Sequence, residues 1–598
     1  MDAVRLTVSA PEPVSTEYTG FSARQLAAEL SGLSRGNPEL VASELRQLLT
    51  TLNASMLRKV PRIDALELMR PAVCDACEVL IGRYRGAALP LAEDDRRQAG
   101  QVGQLLSLLG DGYKRVVNER LEAARSGERP RVDGYLALGL QRAALAAGRS
   151  LMEHYRLYAP EPAALWSDLH RLFRNAETFR LQTQPFEAVG HRDETALSIK
   201  QAYLRAVVLS LANPHHLLQG EAEALYRRLG RWVHHVRMSV PDSWRALDGA
   251  FVVDLDSDFP PHYRPRSRRL PTPGAARLLD LSALVDAVDG QLEAVRQDDG
   301  GRRGAPSLSQ RMQRNMYLRF REALSGRQER RDQRRSTVAR ISLVEGLSGC
   351  HFFLNGRRSF NPETEEARWN RRLHAVDPEP GLSLSKSEYL SDSAEPDGDP
   401  RQSRFRAHDA EADDVWQRAH RVNPAQEAAR GPRRVQHRAV TWHRKNEGDG
   451  GMALFCVQPR GMRVRVGELT AYSDNPGNDP ERWRLGQVRW LRTRPGGGLE
   501  IGVRHVAAGG HAVGTKGVQG VGRDTEYMRG IIVPRVNPLT EDAGLISPAG
   551  IYEPGSVLKV NMGELIFYVR LTERVSTTQL VAHFAFETVE PPAHLRGR

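Results

Sequence analysis

Cysteine is scarce in this sequence. The 598 residues include four cysteines, and a disulfide framework would need more of them in a chain of this length. Long apolar runs are lacking as well, since no window approaches the roughly 18 uninterrupted apolar residues of a membrane-spanning helix. Met1–Ser9 contain an acid and no apolar stretch of the kind found in signal peptides. These absences predict a reduced, cytoplasmic protein with no transmembrane segment.

Catalytic signatures are also lacking. The sequence contains no G-x-x-x-x-G-K-[S/T], no G-x-S-x-G and no H-E-x-x-H motif. Asp254–Asp258 resembles the start of an EF-hand loop, but Phe259 stands where the sharp turn requires Gly. No group of acidic and basic residues is arranged for acid–base chemistry. We therefore predict no catalytic residue, no metal site and no resident cofactor, and we do not expect an enzyme.

Two further patterns favour structural roles. The C-x-x-C at Cys74–Cys77 lies within a helical pattern, whereas a thioredoxin-like site needs a preceding strand and a zinc site needs a second cysteine pair. The pairs His215-His216 and His234-His235 are sequence neighbours in helical territory, where successive side chains point about 100° apart. We expect buried helix cysteines and structural histidines.

Positive charge is in excess, with a formal net charge of +12 that comes mostly from arginine. Such a balance favours an anionic partner: nucleic acid, a nucleotide or an acidic membrane surface. An arginine-rich composition without any functional role would give the same net charge. The charge alone therefore does not show that the protein binds an anionic partner. Aromatic residues make up 6% of the chain, which leaves Leu, Val and Ala to fill most of the cores. A chain of this length is expected to form several domains.

The first part of the chain has a helical pattern. After a flexible lead-in at 1–20, apolar residues recur every three or four positions throughout 21–250. Pro residues separate the helical runs, because Pro clashes with the preceding turn and lacks an N–H donor. Short connections between similar helices indicate a bundle or an irregular solenoid. The predicted helices cover residues 40–52, 62–84, 95–125, 133–157, 161–180, 194–212 and 219–238.

The pattern changes beyond the helical region. Residues 251–329 are predicted to form a linker and further helices, with a Pro/Arg-rich break at 251–275. Val338–Val344 and Cys350–Leu354 favour two short strands. Residues 356–436 are polar and contain few large apolar side chains. Because so little apolar surface cannot offset the entropy of ordering the chain, we predict a disordered insertion there.

The remainder of the chain is rich in strand patterns. Gly509–Gly522 is expected to form a flexible loop, and the segment 508–598 is expected to build a second small barrel or to extend the first. The predicted strands are Ala439–His443, Met452–Val457, Arg463–Tyr472, Leu485–Thr493, Leu499–Val506, Arg529–Val533, Val557–Asn561, Leu565–Leu571 and Gln579–Thr588.

Three consecutive strand patterns resemble a known family. Arg463–Leu469 is followed by a G-x-V-R-W strand at Gly486–Trp490, and a hairpin then leads into an x-I-G-V strand at Glu500–Val503. This order resembles the second half of a PilZ domain, the bacterial β-barrel that acts as a cyclic di-GMP receptor. The predicted fold class is therefore multidomain: an all-α N-terminal region followed by all-β PilZ-like small barrels. The first barrel is expected at 330–507, around the insertion.

The resemblance implies a nucleotide site built from two motifs. PilZ domains carry R-x-x-x-R ahead of the barrel and [D/N]-x-S-x-x-G after the next strands. The second motif is matched at 446–451, except that Gly448 replaces Ser. The first motif fits the arginine cluster at 330–335; Arg434 and Arg438 also have the spacing, but they leave too little chain for the intervening strands. The implied ligand-binding residues are Arg330, Arg331, Arg334, Arg335, Asn446, Gly448, Gly450 and Gly451.

The chemistry of these residue types suits cyclic di-GMP, which presents two guanines and two phosphodiesters. Arginine donates two hydrogen bonds to guanine O6 and N7 in one plane, and its flat guanidinium stacks on a base. A glycine-rich turn lets backbone N–H groups approach a ligand without interference from Cβ atoms. The Gly448 departure removes one hydroxyl donor, which is expected to weaken binding by about 1 kcal/mol.

Three functions are compatible with the sequence. The first is a bacterial regulatory or effector protein that binds cyclic di-GMP, or a protein partner, through the PilZ-like domain, and a protein partner through the helical region. The resemblance implies roles in motility, type IV pili, biofilm or secretion. The second is a PilZ-like scaffold that does not bind nucleotide, which Gly448 favours. The third is a nucleic-acid-binding protein; it ranks last because aromatic residues are not interleaved with the basic ones.

Overall fold

A computed structural model gives the structure of the chain. It describes residues 4–9, 23–33, 36–55, 61–125, 134–186, 196–264, 274–301, 308–326, 335–363, 365–367, 437–475, 479–494, 496–523, 526–534, 543–563 and 565–592. The chain divides into two compact units. One contains Met1–Arg331 with Leu491–Gly497, and the other contains Asp332–Trp490 with Gly498–Arg598.

The first unit is mainly helical, and local sequence signals start several of its helices. The side chain of Asn37 accepts a hydrogen bond from the Glu39 N–H, and Ser198 forms a capping box with Gln201. The helices are α1 (Ala23–Ser31), α2 (Pro38–Ala54), α3 (Arg62–Tyr84), α4 (Glu93–Arg125), α5 (Gly134–Arg156), α6 (Leu165–Thr178), α7 (Ile199–Leu211), α8 (Glu221–Trp232), α9 (Ser282–Gly301) and α10 (Leu308–Leu324).

Two clusters of buried apolar side chains hold these helices together, one joining α2 to α5 and one joining α5 to α10. The helix predicted at 62–84 is confirmed with the same bounds. Cys74 and Cys77 are buried within it, as expected, and burial raises the pKa of the Cys77 thiol. Inert, buried thiols of this kind act as small apolar side chains.

A small sheet follows the helices, and here the predicted break at 251–275 is wrong in part. The sheet has the order β1-β4-β2-β3 and consists of β1 (Arg237–Ser239), β2 (Ala250–Asp254), β3 (His262–Arg264) and β4 (Ala276–Asp280). Val252 and Val253 are both fully buried, so β2 lacks the alternation that predicts a strand. Strands of three to five residues in a Pro/Arg-rich stretch give too short a pattern to be recognised from the sequence.

The second unit contains two closed six-stranded barrels. The first barrel has the strand order β10-β7-β6-β5-β8-β9. Its strands are β5 (Arg335–Glu345), β6 (Val440–Gly448), β7 (Gly451–Cys456), β8 (Leu469–Ser473), β9 (Arg484–Thr493) and β10 (Leu499–Ala507). Because β5 pairs antiparallel with both β6 and β8, strands from either side of the long insertion form one sheet.

One predicted strand of this region is wrong, and another starts later than predicted. Cys350–Leu354 belongs to a helix, α11 (Leu347–Leu354), whose buried residues Leu347, Cys350 and Leu354 follow a helical spacing that a short apolar run conceals. The strand predicted at Arg463–Tyr472 starts only at Leu469. Gly467 has φ +89°, and this left-handed conformation turns the chain just before β8.

The second barrel has the strand order β11-β12-β13-β16-β15-β14. Its strands are β11 (His511–Gln519), β12 (Met528–Pro534), β13 (Ala543–Pro548), β14 (Val557–Asn561), β15 (Ile566–Thr577) and β16 (Val581–Val589). The flexible loop predicted at Gly509–Gly522 is therefore wrong, since most of it is β11. The glycines allow close packing: a Cβ at Gly517 would lie 1.9 Å from the Gly522 carbonyl oxygen.

The start of the predicted disordered insertion is packed against the second barrel. The buried Asn561 side chain donates a hydrogen bond to the Pro362 carbonyl, with an Nδ2–O distance of 2.8 Å. Tyr527 donates to the Glu366 carboxylate at 2.7 Å, and the Lys559 ammonium forms an ion pair with the same group. Residues 368–436 lie outside the described residues.

The predicted fold class is confirmed: the chain is multidomain, and a helical N-terminal region precedes two small β-barrels. Within the described ranges, the structure contains no helix that is both long and apolar enough to cross a membrane.

Candidate functional site

The predicted turn at Asn446–Gly451 is a tight β-hairpin. We predicted that this strand ends at His443, and this end is wrong. Strand β6 continues to Gly448, because it is paired with β5 on one side and with β7 on the other. Gly448 pairs with Gly451, so Asp449 and Gly450 alone form the turn. A two-residue turn that contains Gly is a favoured hairpin connection. The residues of the predicted motif therefore lie on a defined hairpin.

The start of β5 lies beside this hairpin. Arg335 pairs with Glu447, and Ser336 pairs with Asn446, across the β5–β6 ladder. The Arg335 side chain is exposed. The structure thus brings one arginine of the predicted cluster to the Asn446 hairpin. Three members of the predicted site lie outside the described residues: Arg330, Arg331 and Arg334.

The alternative arginine pair lies elsewhere. Arg434 is outside the described residues, and Arg438 is exposed two residues before the start of β6 at Val440. Since a strand rises about 3.3 Å per residue, Arg438 lies roughly 25 Å along the chain from Asn446. Its position at the opposite end of β6 separates it from the hairpin.

Glycine is required where the hairpin meets β10. A Cβ at Gly451 would lie 2.3 Å from the Val503 carbonyl oxygen, which is closer than real atoms approach. Gly451 pairs with Arg504 in the β10–β7 ladder, and the His505 N–H donates a hydrogen bond to the Gly450 carbonyl at 3.2 Å. The hairpin is therefore fixed against β10 by contacts between backbones.

Ion pairs support the hairpin at the end of the barrel. The Arg444 guanidinium lies 2.8 Å from the Glu447 carboxylate and 3.3 Å from the Asp474 carboxylate. Arg484 binds the same Asp474 group at 3.3 Å. Arg444 is mostly buried, with 13% of its side chain exposed, so its charge is screened by water less than a surface charge would be.

A histidine and a tyrosine complete this network. The Tyr472 hydroxyl lies 2.7 Å from His505 Nδ1, and His505 Nε2 lies 4.0 Å from the Glu447 carboxylate. Burial lowers the pKa of His505, and burial raises the pKa of Tyr472 to about 12. Sequence reasoning missed both residues, because they lie on β8 and β10 and no spacing in the sequence connects them with the hairpin.

One polar atom of the hairpin is buried without a partner. Asn446 Oδ1 is inaccessible to water and accepts no hydrogen bond from any described residue. Nearly all buried polar side-chain atoms in proteins have a partner, so an unpaired acceptor at this position is notable.

The potential metal ligands of the chain include the two histidine pairs, His215-His216 and His234-His235. The described part of the chain contains no cluster of three or more His, Cys, Asp or Glu side chains that could hold a metal ion. His215 is partly buried in the first unit, and the resulting loss of hydration lowers its pKa to about 4. The His234 and His235 rings lie 3.9 Å apart at their centroids.

Comparisons with known proteins match almost the whole chain. Three family models fit it in order: the N-terminal domain of the cyclic-di-GMP receptor FimW at residues 24–242, the middle PilZ domain of that receptor at 250–511, and the FimW C-terminal β-barrel domain at 513–589. The chain is 26% identical, over 613 aligned residues, to the protein of Pseudomonas aeruginosa named cyclic-di-GMP receptor FimW. The alignment covers 98% of this chain and 94% of that protein. No solved structure matches the chain.

Proposed function

The chain belongs to the FimW family of PilZ-domain proteins, and on this premise we propose that it is a receptor that binds cyclic di-GMP and acts as a regulatory effector. The nucleotide site consists of the arginine cluster at 330–335 and the hairpin at 446–451. A receptor of this kind needs no catalytic group, which agrees with the sequence.

The observation that carries the proposal is the pairing of Arg335 with Glu447. It places the end of the arginine cluster beside the glycine-rich hairpin, as a two-part nucleotide site requires. An arginine here can donate two hydrogen bonds to a guanine edge or stack on its face. The neighbouring hairpin offers backbone N–H groups to a phosphodiester.

Charge at the site favours an anionic ligand. Glu447 would repel a phosphodiester if its carboxylate were unpaired, but Arg444 lies 2.8 Å from it. The exposed Arg335 adds positive charge to the same face. Because the negative charge of Glu447 is balanced within the barrel, the approach of a dianionic nucleotide costs less than the sequence alone suggests.

The experiment is an isothermal titration of the full-length chain with cyclic di-GMP. We expect saturable binding, and we expect the double variant Arg331→Ala, Arg335→Ala to bind at least tenfold more weakly. Arg438→Ala removes an exposed arginine at the other end of β6 and serves as the matched control, with unchanged affinity. Absence of binding by the unaltered chain, or equal affinity in the double variant, would contradict the proposal.

A second candidate is a PilZ-like scaffold that binds a protein partner and no nucleotide. Gly448 favours it, because this position lacks the hydroxyl found in the nucleotide motif of the family. The helical unit would then supply the binding surface. The same titration separates the two candidates, since a scaffold gives no heat of binding with cyclic di-GMP.

A further inference from the structure

Part of the lead-in that was predicted to be flexible, Val4–Ser9, lies between α4 and α6. Asn175 on α6 binds both backbone groups of Val4: its Oδ1 accepts from the Val4 N–H at 2.9 Å, and its Nδ2 donates to the Val4 carbonyl at 2.8 Å. Asn118 on α4 binds Leu6 in the same way, at 2.9 Å and 3.0 Å. Both asparagines are buried. Two helices therefore hold the main chain of this segment through side-chain amides.

Two carboxylates extend the same pattern. The Thr7 N–H donates to the Asp168 carboxylate at 2.9 Å, and the Ser9 N–H donates to the Asp111 carboxylate at 3.2 Å. The Lys114 ammonium lies 2.8 Å from the Asp111 carboxylate and 3.1 Å from the Asp168 carboxylate. It links α4 to α6 and balances part of the negative charge. We call the surface that holds the segment the α4–α6 groove, defined by Asp111, Asn118, Asp168 and Asn175.

The spacing of these four side chains matches an extended chain. The two on each helix are seven residues apart, whereas the segment residues that they bind are three apart. Seven residues rise about 10.5 Å along a helix, and three residues of an extended chain span about 10 Å. The residue numbers fall along both helices as they rise along the segment. Val4–Ser9 is therefore extended and runs antiparallel to both helices.

Little of this binding depends on the side chains of the segment. Among residues 4–9, Leu6 alone is fully buried, with 3% of it exposed, and it belongs to the apolar cluster that joins α2 to α5. The side chains of Arg5 and Thr7 are exposed, and surface contacts of the kind they make contribute little. Groups that bind the backbone accept any residue other than Pro, which lacks the N–H. The groove therefore recognises an extended main chain with one apolar anchor.

We propose that the α4–α6 groove binds an extended peptide segment of a partner protein, with an apolar side chain at the position of Leu6, and that Val4–Ser9 occupies the groove as an internal competitor. This inference does not depend on nucleotide binding. Ordering the segment costs conformational entropy. Burial of one large side chain, and hydrogen bonds that replace those to water, offset little of that cost. The segment is therefore weakly held, and local opening exposes the groove to a peptide that makes the same bonds.

The test uses full-length chains and a fluorescein-labelled synthetic peptide with the sequence of residues 3–10, Ala-Val-Arg-Leu-Thr-Val-Ser-Ala, in a fluorescence anisotropy titration. Leu6→Glu removes the buried anchor of the internal segment and frees the groove. We expect this variant to bind the peptide at least tenfold more tightly than the unaltered chain, whose own segment competes. Leu40→Glu makes the same change at an exposed position of α2 and is the matched control, with the affinity of the unaltered chain.

Altered peptides and a groove variant show what is recognised. A peptide with alanine at its three exposed positions should bind Leu6→Glu as tightly as the original peptide, since the backbone contacts remain. A peptide with proline at the position of Leu6 loses one N–H donor and the anchor, and should bind at least tenfold more weakly. Asn118→Ala, added to Leu6→Glu, should lower peptide affinity at least fivefold. Gln104→Ala, at an exposed position of α4, is the control for this change.

Displacement of the internal segment from the unaltered chain is the second measurement. With the alanine-substituted peptide at saturating concentration, the amide hydrogens of residues 4–9 should exchange at least fivefold faster. If Leu6→Glu binds the peptide no more tightly than the unaltered chain does, or if exchange at 4–9 is unchanged at saturation, the proposal is overturned and the segment is a permanent part of the helical unit. A concentration-dependent dimer of the unaltered chain that Leu6→Glu abolishes also overturns it, because a second copy would then supply the occupant.

Discussion

Ser336 on β5 lies directly opposite Asn446 on β6. The pairing register shifts between Ser336 and Ala339, so the first residues of β5 follow a bulged course along β6. Bulges bend a strand and redirect it, and they are common beside functional sites. Arg335, the one described residue of the arginine cluster, lies directly before this bulge. Two segments that are distant in the sequence thus meet at one hairpin.

Restoring the family hydroxyl is expected to strengthen ligand binding. Gly448→Ser adds a donor at the position where PilZ nucleotide motifs have Ser. One additional hydrogen bond contributes about 1 kcal/mol, so cyclic di-GMP should bind roughly fivefold more tightly in a calorimetric titration. Gly509→Ser, at a position where an added Cβ meets no atom within 4 Å, is the control. Equal affinities for Gly448→Ser and the unaltered chain would mean that residue 448 does not face the ligand.

Gly451→Ala is expected to destabilise the first barrel. The added methyl group would lie 2.3 Å from the Val503 carbonyl oxygen, and backbone atoms on both strands would have to move. Overpacking of this kind costs about 1–3 kcal/mol of the free energy of unfolding. Denaturant unfolding measures it, with Gly509→Ala as the control in open space. A Gly451→Ala protein as stable as the control would contradict the close approach of β7 and β10.

Much of the fold was predictable because local patterns decide it. The predicted bounds of α3 and of β14 agree with the structure residue for residue. Residues that disfavour helices or strands bound both elements: Pro61 precedes α3, and Gly555 and Gly563 flank β14. The helix α11 was missed, since its apolar residues form a run too short to distinguish a helix from a strand. The sheet β1–β4 was missed because its strands are three to five residues long.

The candidate site was predictable only where it is continuous in sequence. The hairpin at 446–451 has a recognisable order of residues, whereas Arg444, Tyr472 and His505 lie on three different strands. Their proximity follows from the strand order of the closed barrel. The spacing of residues in the sequence does not reveal that strand order. The contacts among Arg444, Tyr472 and His505 could therefore be identified only from the structure.

Arg444 is expected to stabilise the barrel by balancing two carboxylates. Arg444→Met keeps much of the side-chain volume but leaves Glu447 and Asp474 facing each other without this cation. Both carboxylates are partly exposed, so we expect a loss of about 1–2 kcal/mol in the free energy of unfolding, below the cost of breaking a fully buried pair. Arg570→Ala breaks an exposed pair with Glu587 and should cost less than about 1 kcal/mol. Equal effects of the two changes would contradict a special role for Arg444.

The stability of the second unit is expected to fall in acid because of His351. Burial, together with the nearby positive charge of Arg529, lowers the pKa of His351 to about 3. In the unfolded chain a histidine titrates near about 6.5, so below that pH the unfolded state binds a proton that the folded state does not. The stability that depends on neutral His351 is therefore present above about pH 6.5 and is lost as the pH falls toward 3. Between pH 7 and pH 5 the loss is about 2 kcal/mol.

Denaturant unfolding at pH 7 and pH 5 measures this loss. In His351→Gln the difference in the free energy of unfolding between pH 7 and pH 5 should be smaller by about 2 kcal/mol. This comparison holds even if the substitution also changes stability at pH 7. The same difference between the two pH values in the variant and in the unaltered chain would show that His351 is not buried in its neutral form.

The start of the predicted insertion, at 356–363 and 365–367, is expected to resist proteolysis because the second barrel holds it. Composition predicted disorder from residue 356 onward, but Pro362 and Glu366 are held by side chains far away in sequence. These are Tyr527, just before β12, and Lys559 and Asn561 on β14. Asn561→Ala removes the hydrogen bond to the Pro362 carbonyl and leaves that buried acceptor unpaired, at a cost of about 1–3 kcal/mol. Local opening should become more frequent, and trypsin should cut after Arg357 and Arg358 at least fivefold faster.

Asn475→Ala, at an exposed position, is the control. An unchanged cleavage rate in Asn561→Ala would mean that this hydrogen bond does not hold the segment, and that Glu366 with Lys559 and Tyr527 suffices.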